Sequence, residues 1–596
     1  MNATLETLQQ QAADLFAQGR LESALDVLDR LGVSLAGNPH WHYNRALVLT
    51  GLRRHDAALA ALSEAAALGC PLAEVLCQQG VVWQSRGDWK QAFRCYTQAL
   101  DVEPRHRLSL LNRGALCLQH QGFDAACADL DAVAADGGAS LPGLAGARWL
   151  ARRHLTQWDA AGANLLHEVQ QGLQQGLAVC EPFTSLAAID SPEMQRLAVA
   201  AWFQRPQARL VQRDAVPVPQ GKKLRIGYFS SDFHDHATLH LLAGVLEAHD
   251  RTALEVLCFS WGPATRDAYQ QRAMAAVDAF VEVHELSDTL VADRARALEI
   301  DIAVDLKGAT HDARPGIFAA RAAPVQVNYL GFPGTLGATW WDYVVADPVV
   351  LPAQGYVHFS EKVAGLPHSY QPNDRARPHP SALPSRAEQG LPQTGLVLAC
   401  FNAHYKIGPE VFACWMEILQ RVPDAVLWLL EGHPQARKNL LAAAVQAGVA
   451  PSRLVFAAKL PQTAHLARLG LADFVLDTWP CNAHTTASDA LWMGVPVWTL
   501  AGNSFASRVA ASLLQAAGLP EWICSSQVAY VDGAVDWAMH PQRLQQVRLR
   551  LAQTRLQSPL FDTVRYTRSL EAAFWAMAQR QRAGLGPAHF QVQESY

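Results

Sequence analysis

Three short segments concentrate side chains that can do chemistry. The first, Asp477-Thr478-Trp479-Pro480-Cys481-Asn482-Ala483-His484-Thr485-Thr486-Ala487-Ser488-Asp489, leaves an apolar run, turns, and enters a helical pattern from Thr486 to Met493. Thr485 and Thr486 at a helix start offer hydroxyls and backbone N–H groups to an anion. Asp489 follows one turn later, where a carboxylate can hold ribose hydroxyls. Thr and Asp are also preferred there for capping alone, so an ordinary capped helix is the structural alternative. The second segment, Phe401-Asn402-Ala403-His404-Tyr405-Lys406, places a lysine just beyond another apolar run. It can reach a ligand phosphate from there, although most lysines are solvated surface groups. The third, from Ser230 to His240, carries His234, His236 and His240 within seven residues. Zinc is one reading, but no separate Glu or Cys group accompanies them at a familiar ligand spacing. A histidine lining a cleft and acting on a hydroxyl fits better, because its pKa lies near neutrality. A capping Ser/Asp followed by structural histidines is the plainer alternative. Neither GxGxxG nor GxxxxGK[ST] occurs, so nicotinamide and P-loop sites lack their usual signal.

The elements around these segments alternate. Leu224–Ser230, Leu254–Ser260, Ile300–Leu306, Val325–Leu330 and Tyr343–Ala346 read as strands separated by helical stretches. A second series follows at Leu396–Phe401, Ala425–Leu430, Arg453–Ala457, Phe474–Asp477 and Val495–Leu500. Alternation of this kind predicts two parallel sheets with helices on both faces. Pro, Gln, Asn, Ser and Arg crowd the stretch 373–394, which reads as a linker. Two Rossmann-like lobes facing a cleft are expected, and such sheets bind ligands beyond their strand C-termini, where all three segments fall.

The first third of the chain is repetitive. Ala24, Ala58, Ala92 and Ala126 are 34 residues apart, and Ala161 follows after 35. Twelve residues before the first four stand Ala12, Ala46, Gly80 and Gly114; Trp149 takes that place in the fifth unit. Two helices approach closely only where side chains are minimal, and the period resembles that of tetratricopeptide repeats. A repeat array is either scaffold or a concave surface for polypeptides. The expected organisation is a repeat array over 1–165, a helical transition over 166–221, lobes over 222–372 and 395–555, and a closing helix and tail over 556–596. Helix is expected over Ser191–Arg205, with Pro206, Pro217 and Pro219 ending it. Phe574 and Trp575 in the closing helix are expected to pack into the core rather than stack on a ligand.

Composition narrows the class. Among 596 residues, 49 are basic and 54 acidic, giving −5, so no bulk positive field exists to attract nucleic acid. Eleven Cys are too few for a disulfide scaffold and read as reduced, buried thiols. No run of about 18 apolar residues suggests a membrane span. Met-Asn-Ala-Thr-Leu-Glu-Thr at the start has no basic region leading to an apolar one, so no secretory signal and a cytoplasmic setting are expected.

Several stretches, taken together and in order, resemble the protein O-GlcNAc transferases of glycosyltransferase family 41 and, in the same architecture, the Spindly-type O-fucosyltransferases. They include LRIGYFSSDFHDHATLHLL, RAAPVQVNYLGFPGTLGATWWDYVVAD, FSEKVAGLPHSY, FNAHYKI, LADFVLDTWPCNAHTTASDALWMGVPVWTLAG and SFASRVAASLL, spread over about residues 222–580. The resemblance implies an all-α tetratricopeptide solenoid followed by an α/β GT-B fold. It implies an inverting, metal-independent transferase that moves GlcNAc from UDP-GlcNAc to Ser or Thr hydroxyls of proteins and releases UDP, with no resident cofactor. By residue matching, Lys406 steadies the departing diphosphate, Thr485 and Thr486 hold it beside His484, and Asp489 binds ribose. His465 and Arg468 match the uracil-contacting pair, and His236 the active-site histidine. The metal-binding Asp-x-Asp of other transferases appears only as Asp129-Leu130-Asp131, in a repeat helix. Ala403, Ala309 and Gln462 depart from the family pattern, replacing an amide, a larger residue and a lysine. GDP-fucose transfer and a degenerate scaffold are the alternatives; protein acceptors on the repeats are the expected partners, no nucleic acid or membrane is, and self-association stays open.

Overall fold

Small residues set the geometry of the N-terminal third. Helices Asn2–Ala17 and Leu21–Leu35, Pro39–Gly51 and His55–Ala67, Leu72–Arg86 and Trp89–Val102, and Arg107–Gln119 and Phe123–Val133 stack as hairpin pairs. Ala12, Ala24, Ala46, Ala58, Gly80, Ala92, Gly114 and Ala126 are all buried where the helices meet. A Cβ on Gly80 would lie 2.4 Å from the Tyr96 ring, so no larger residue fits there. The fifth unit, Leu144–His154 with Ala160–Gln174, corrects the expected register. Ala161 is exposed and Gly162 is buried instead, because Asp159 caps the second helix by accepting from Gly162 N at 2.9 Å. Trp158 stands ahead of that helix and packs on Phe412 of the second lobe, 5.3 Å between centroids. Asp129 pairs with Arg113, and Asp131 with Arg148 and Arg152, so both carboxylates hold the array together.

The computed structural model describes residues 2–204, 223–380 and 382–594. Helices Pro182–Ala188 and Pro192–Gln204 complete the helical region. Arg205, the three prolines expected to end this helix and the boundary expected at 221/222 lie outside the described residues.

The first lobe holds β1 (Leu224–Ser230), β2 (Leu254–Ser260), β3 (Ala279–Glu282), β4 (Ile302–Asp305), β5 (Val325–Asn328), β6 (Tyr343–Ala346) and β7 (Lys362–Gly365). The second holds β8 (Val397–Cys400), β9 (Val426–Leu430), β10 (Leu454–Ala457), β11 (Phe474–Leu476), β12 (Val497–Leu500) and β13 (Ile523–Cys524). A last strand, β14 (Phe590–Gln591), pairs with β7 and returns the chain to the first sheet. The strand orders are β14-β7-β6-β5-β4-β1-β2-β3 and β10-β9-β8-β11-β12-β13, parallel throughout. Helices cover both faces of such sheets, which is why the long strands read as continuous apolar runs. β3, β7, β13 and β14 escape that reading because they are short or only partly buried.

The closing helix, Thr563–Arg582, packs on the first lobe, where Leu570, Phe574 and Met577 join Ile226 and Tyr228 in one core. Phe574 is fully buried, as expected, and Trp575 packs partly against the same core. The stretch read as a linker has no regular structure at its start, yet Asn373, Asp374 and Arg377 within it are buried, as is Gln371 just ahead of it. It is a strap: Asp374 binds Arg272 of the first lobe at 2.8 Å, and Gln371 Nε2 donates to Ser488 Oγ of the second at 2.7 Å. An apolar cluster joins Trp149 and Leu186 of the helical region, Phe332 and Leu336 of the first lobe, and Cys481 and Ala506 of the second. All eleven cysteines are free, and all but Cys127 are buried. Among the described residues no helix is long and apolar enough to cross a membrane.

Candidate active site

The C-terminal ends of β8 and β11 meet at Asp477. This carboxylate accepts from Thr499 Oγ1 at 2.7 Å and from the backbone N–H groups of Thr478 and Ala483 at 2.8 and 2.7 Å. Asn402 Nδ2, beyond β8, donates to Asp477 Oδ1 and to Thr478 Oγ1, and Thr486 Oγ1 donates to Asn402 Oδ1 at 2.7 Å. Complete burial pushes the Asp477 pKa up to about 6, against the pull of these donors and of Lys406. Asp477 therefore ties together the turn that carries Lys406 and the turn that enters helix Thr485–Trp492.

Lys406 lies in a one-turn 3-10 helix, His404–Lys406, and its Nζ donates to the carbonyl oxygen of Asn482 at 2.7 Å. Burial disfavours its charge, but Cys481, Tyr405 and Asp477 around it more than offset that, and its pKa lies above the ordinary lysine value. His484 precedes the helix and donates from Nε2 to Ala506 O at 3.3 Å. Burial, with Lys406 adding to it, pushes the His484 pKa down to about 3, so the ring is neutral. Lys406, His484, Thr485 and Thr486 are thus gathered at one helix start, whose positive end a fixed cation adjoins. Like polarities converge there, and an anion is what complements them.

Asp489 is buried one turn along and binds Arg377 of the strap at 3.1 Å. Arg377 Nε and Nη2 are buried without a hydrogen-bond partner among the described residues. At the other end of this wall, Arg468 donates from Nε and Nη2 to His465 Nδ1 at 3.2 and 3.0 Å and from Nη1 to the Ala458 carbonyl. The His465 ring therefore carries its proton on Nε2; burial, with the Arg468 charge, pushes its pKa down to about 4. Arg468 is 1% exposed, with its guanidinium over Phe401.

The first lobe supplies the opposite wall. His236 caps helix Ala237–Ala248, its Nδ1 accepting from Thr238 N at 3.2 Å. A ring that accepts on Nδ1 carries its proton on Nε2. Burial lowers the His236 pKa, partly countered by Asp232. Asp232 in turn holds Lys307 Nζ with both oxygens at 2.9 Å. His240 binds Asp235 at 2.6 Å, so His236 and His240 have separate partners. Among the described residues no group of three or more His, Cys, Asp or Glu is arranged to hold a metal ion. Tyr269 crosses the cleft and donates to Gln462 Oε1 at 2.6 Å, and Gln462 Nε2 is buried without a partner among the described residues. Beside this wall, a cavity of about 1300 Å³ separates the repeat turns at Arg53, His55 and Arg86 from Asp232, His234 and Trp261.

The profile of glycosyl transferase family 41 matches residues 209–381 and 372–570, most of the two-lobed region. The chain belongs to this family. Within family 41, a protein of Arabidopsis thaliana named probable UDP-N-acetylglucosamine--peptide N-acetylglucosaminyltransferase SEC is 40% identical over 381 residues, covering 63% of this chain and 39% of that one. A Solanum lycopersicum protein carrying the same enzyme name with the designation SPINDLY is 29% identical over 394 residues, covering 65% and 42%. The chain spans about two fifths of the length of these curated relatives. A solved mutant of the Thermobaculum terrenum O-GlcNAc transferase is 26% identical, with a TM-score of 0.62 over 98% of this chain and 99% of that one. Repeats and both lobes of this family 41 chain therefore share one fold with that structure.

Asp477, Arg377 and Tyr269 were not among the residues singled out from the sequence. Asp477 had a signal, an acidic residue at a strand end. Arg377 and Tyr269 had none, because a strap and a cross-cleft bond leave no local pattern.

Proposed function

We propose that the protein is an inverting, metal-independent glycosyltransferase that moves GlcNAc from UDP-GlcNAc to Ser or Thr hydroxyls of polypeptides. The observation that carries this reading is the Lys406 ammonium beside the start of helix Thr485–Trp492. The acceptor hydroxyl oxygen forms a bond to the anomeric carbon as the bond from that carbon to the diphosphate oxygen breaks on the opposite face, and the hydroxyl proton passes to the departing diphosphate or to water. Negative charge grows on the leaving oxygen, and Lys406 with the Thr485 and Thr486 amides and hydroxyls is placed to stabilise it. A fixed cation there supplies the charge that a metal supplies in other transferases. His465, oriented by Arg468, offers an N–H to the base, and Asp489 offers acceptor oxygens to ribose. His236 offers Nε2–H to the cleft, which makes it a hydrogen-bond donor that orients a substrate oxygen rather than the base.

The relatives' names, both of which specify peptide N-acetylglucosaminyl transfer from UDP-GlcNAc, support this donor and acceptor class. A polypeptide reaches the reacting centre along the cavity between the repeat turns and Asp232. The free thiols fit a reducing compartment such as the cytoplasm. Calorimetric titration of UDP, GDP, UDP-GlcNAc and GDP-fucose, beside Lys406→Ala, tests the reading. Selective UDP and UDP-GlcNAc binding, followed by transfer to peptides that fails in the variant, is expected. GDP-sugar preference would move the protein to fucosyl transfer, and no nucleotide binding would leave a scaffold.

A further inference from the structure

The last repeat unit touches the turn that carries Lys406. Arg153, near the end of helix Leu144–His154, is 8% exposed and donates from Nε to the Tyr405 carbonyl at 3.1 Å. Its guanidinium lies over the Trp149 ring and against Gly408, where a Cβ would stand 3.1 Å from Nη2. Gly408 is the residue from which helix Pro409–Arg421 starts. One side chain of the helical region therefore bonds the backbone just before Lys406 and packs against it two residues after. His154 extends the contact, stacking on Phe123 at 4.0 Å and facing the Tyr405 ring at 5.0 Å. Thr156 Oγ1 donates to the Ala436 carbonyl at 3.2 Å, and Asn439 Nδ2 donates to the Leu155 carbonyl at 2.7 Å.

A second arm reaches the same lysine from its far side. Asp190, between helices Pro182–Ala188 and Pro192–Gln204, accepts from Asn503 N and Ser504 N at 2.8 Å each and from Ser507 Oγ at 2.7 Å. In that loop the Ala506 carbonyl accepts from Asn482 N at 3.0 Å. The carbonyl of Asn482 is the group that receives Lys406 Nζ.

An arginine buried against one neutral carbonyl and an aromatic ring is a costly way to fill space, since a charge taken out of water needs strong compensation. Burial lowers the Arg153 pKa to about 10, with only Glu410 pulling the other way. A methionine would fill the volume without that cost, but it could not fix the direction of the Tyr405 carbonyl.

We propose that Arg153 is a positioning residue for Lys406, with Asp190 as the opposing arm, so that the helical region sets the leaving-group site as well as guiding the acceptor. This rests on the donor-site reading above. Displacement of the array by a bound polypeptide would then be felt at the lysine.

Two readouts on the full chain test it. In steady-state transfer, Arg153→Met should lower kcat by about 10- to 100-fold, the scale of a small misplacement of a reacting group, with the KM for the donor within about twofold. Arg153→Lys, which keeps a donor, should recover much of the loss. In hydrogen–deuterium exchange, the amides of 404–408 should exchange at least about tenfold faster in Arg153→Met, while the helices of the first four repeats stay unchanged. Unchanged kcat and unchanged exchange at 404–408 would overturn the proposal. So would loss of protection across the whole array, with no recovery in Arg153→Lys, because that marks a merely structural residue. If the unaltered protein transfers no sugar, the donor-site reading has failed, and the exchange at 404–408 alone decides the role of Arg153.

Discussion

The ammonium of Lys406 lies 2.7 Å from the carbonyl oxygen of Asn482, three residues ahead of Thr485. One backbone carbonyl thus fixes a charge at the mouth of a helix that is itself electropositive. Replacing Lys406 with Met should lower kcat about 10²- to 10³-fold, the scale seen when one preorganised electrostatic group is removed. The thermal midpoint should hold or fall slightly, since the groups around Lys406 more than offset the cost of burying its charge. Comparing kcat with calorimetric unfolding checks both parts, and an active variant would remove Lys406 from the chemistry.

Arg468 orients His465 through two donations to Nδ1. Arg468→Leu should free the ring and weaken UDP binding about tenfold, as expected for losing a charge-assisted hydrogen bond worth about 1.5 kcal/mol or more. Isothermal titration with UDP measures this. Affinity unchanged from the parent would mean that His465 does not meet the base.

Tyr269 and Gln462 bridge the two walls at 2.6 Å. Tyr269→Phe deletes that bond at a cost of about 1 kcal/mol and should weaken donor binding about fivefold, mostly by faster release. Stopped-flow displacement of a fluorescent UDP analogue reads the release rate. An unaltered rate would show that the bridge does not hold the cleft closed over nucleotide.

Burial pushes the pKa of His154 down to about 3, from an ordinary 6.5. The folded ring stays neutral while the unfolded one takes a proton below about 6.5, so the unfolded state binds more protons and His154 costs stability as pH falls. His154→Phe should therefore gain on the parent by roughly 1 kcal/mol per pH unit between about pH 6 and 4. Chemical denaturation of both proteins across that range gives the difference. Parallel pH curves would mean that His154 is protonated in the fold.

Gly80 has room for a hydrogen and nothing more, with Tyr96 2.4 Å from any added Cβ. Gly80→Ala should lower stability by roughly 1–3 kcal/mol through overpacking. Gly87→Ala, at φ 90° with no atom of the described residues within 4 Å of its Cβ position, should cost about 1 kcal/mol through backbone strain alone. Thermal scans of the two variants separate packing from strain.

Local pattern made much of this molecule legible. The small residues at 34-residue spacing define the helix pairs because close packing forbids anything larger. The longer strands stand out because both sheet faces are covered. Lys406, Thr485, Thr486 and Asp489 lie at strand ends and helix starts, where the sequence can be read directly. What escaped depends on partners far apart in the chain. Arg377 looks like one polar residue among many until Asp489 is seen against it. Arg153 reads as the basic end of a repeat helix, and only the docked second lobe reveals the carbonyl it holds. The fifth small residue slipped by one position because a capping aspartate, Asp159, sets where that helix begins.

The return of the chain to the first lobe bears on how the protein is made. β1 emerges from the ribosome long before helix Thr563–Arg582 and β14, which cover its sheet and extend its edge. The strands of the second lobe are contiguous, so that lobe can close during synthesis. The lobe begun first is thus completed last, and until then the side of its core that receives Tyr566, Leu570 and Phe574 lies open. Once the chain has emerged to about residue 556, a nearly finished second lobe stands beside an uncovered first one, a surface for chaperones to hold.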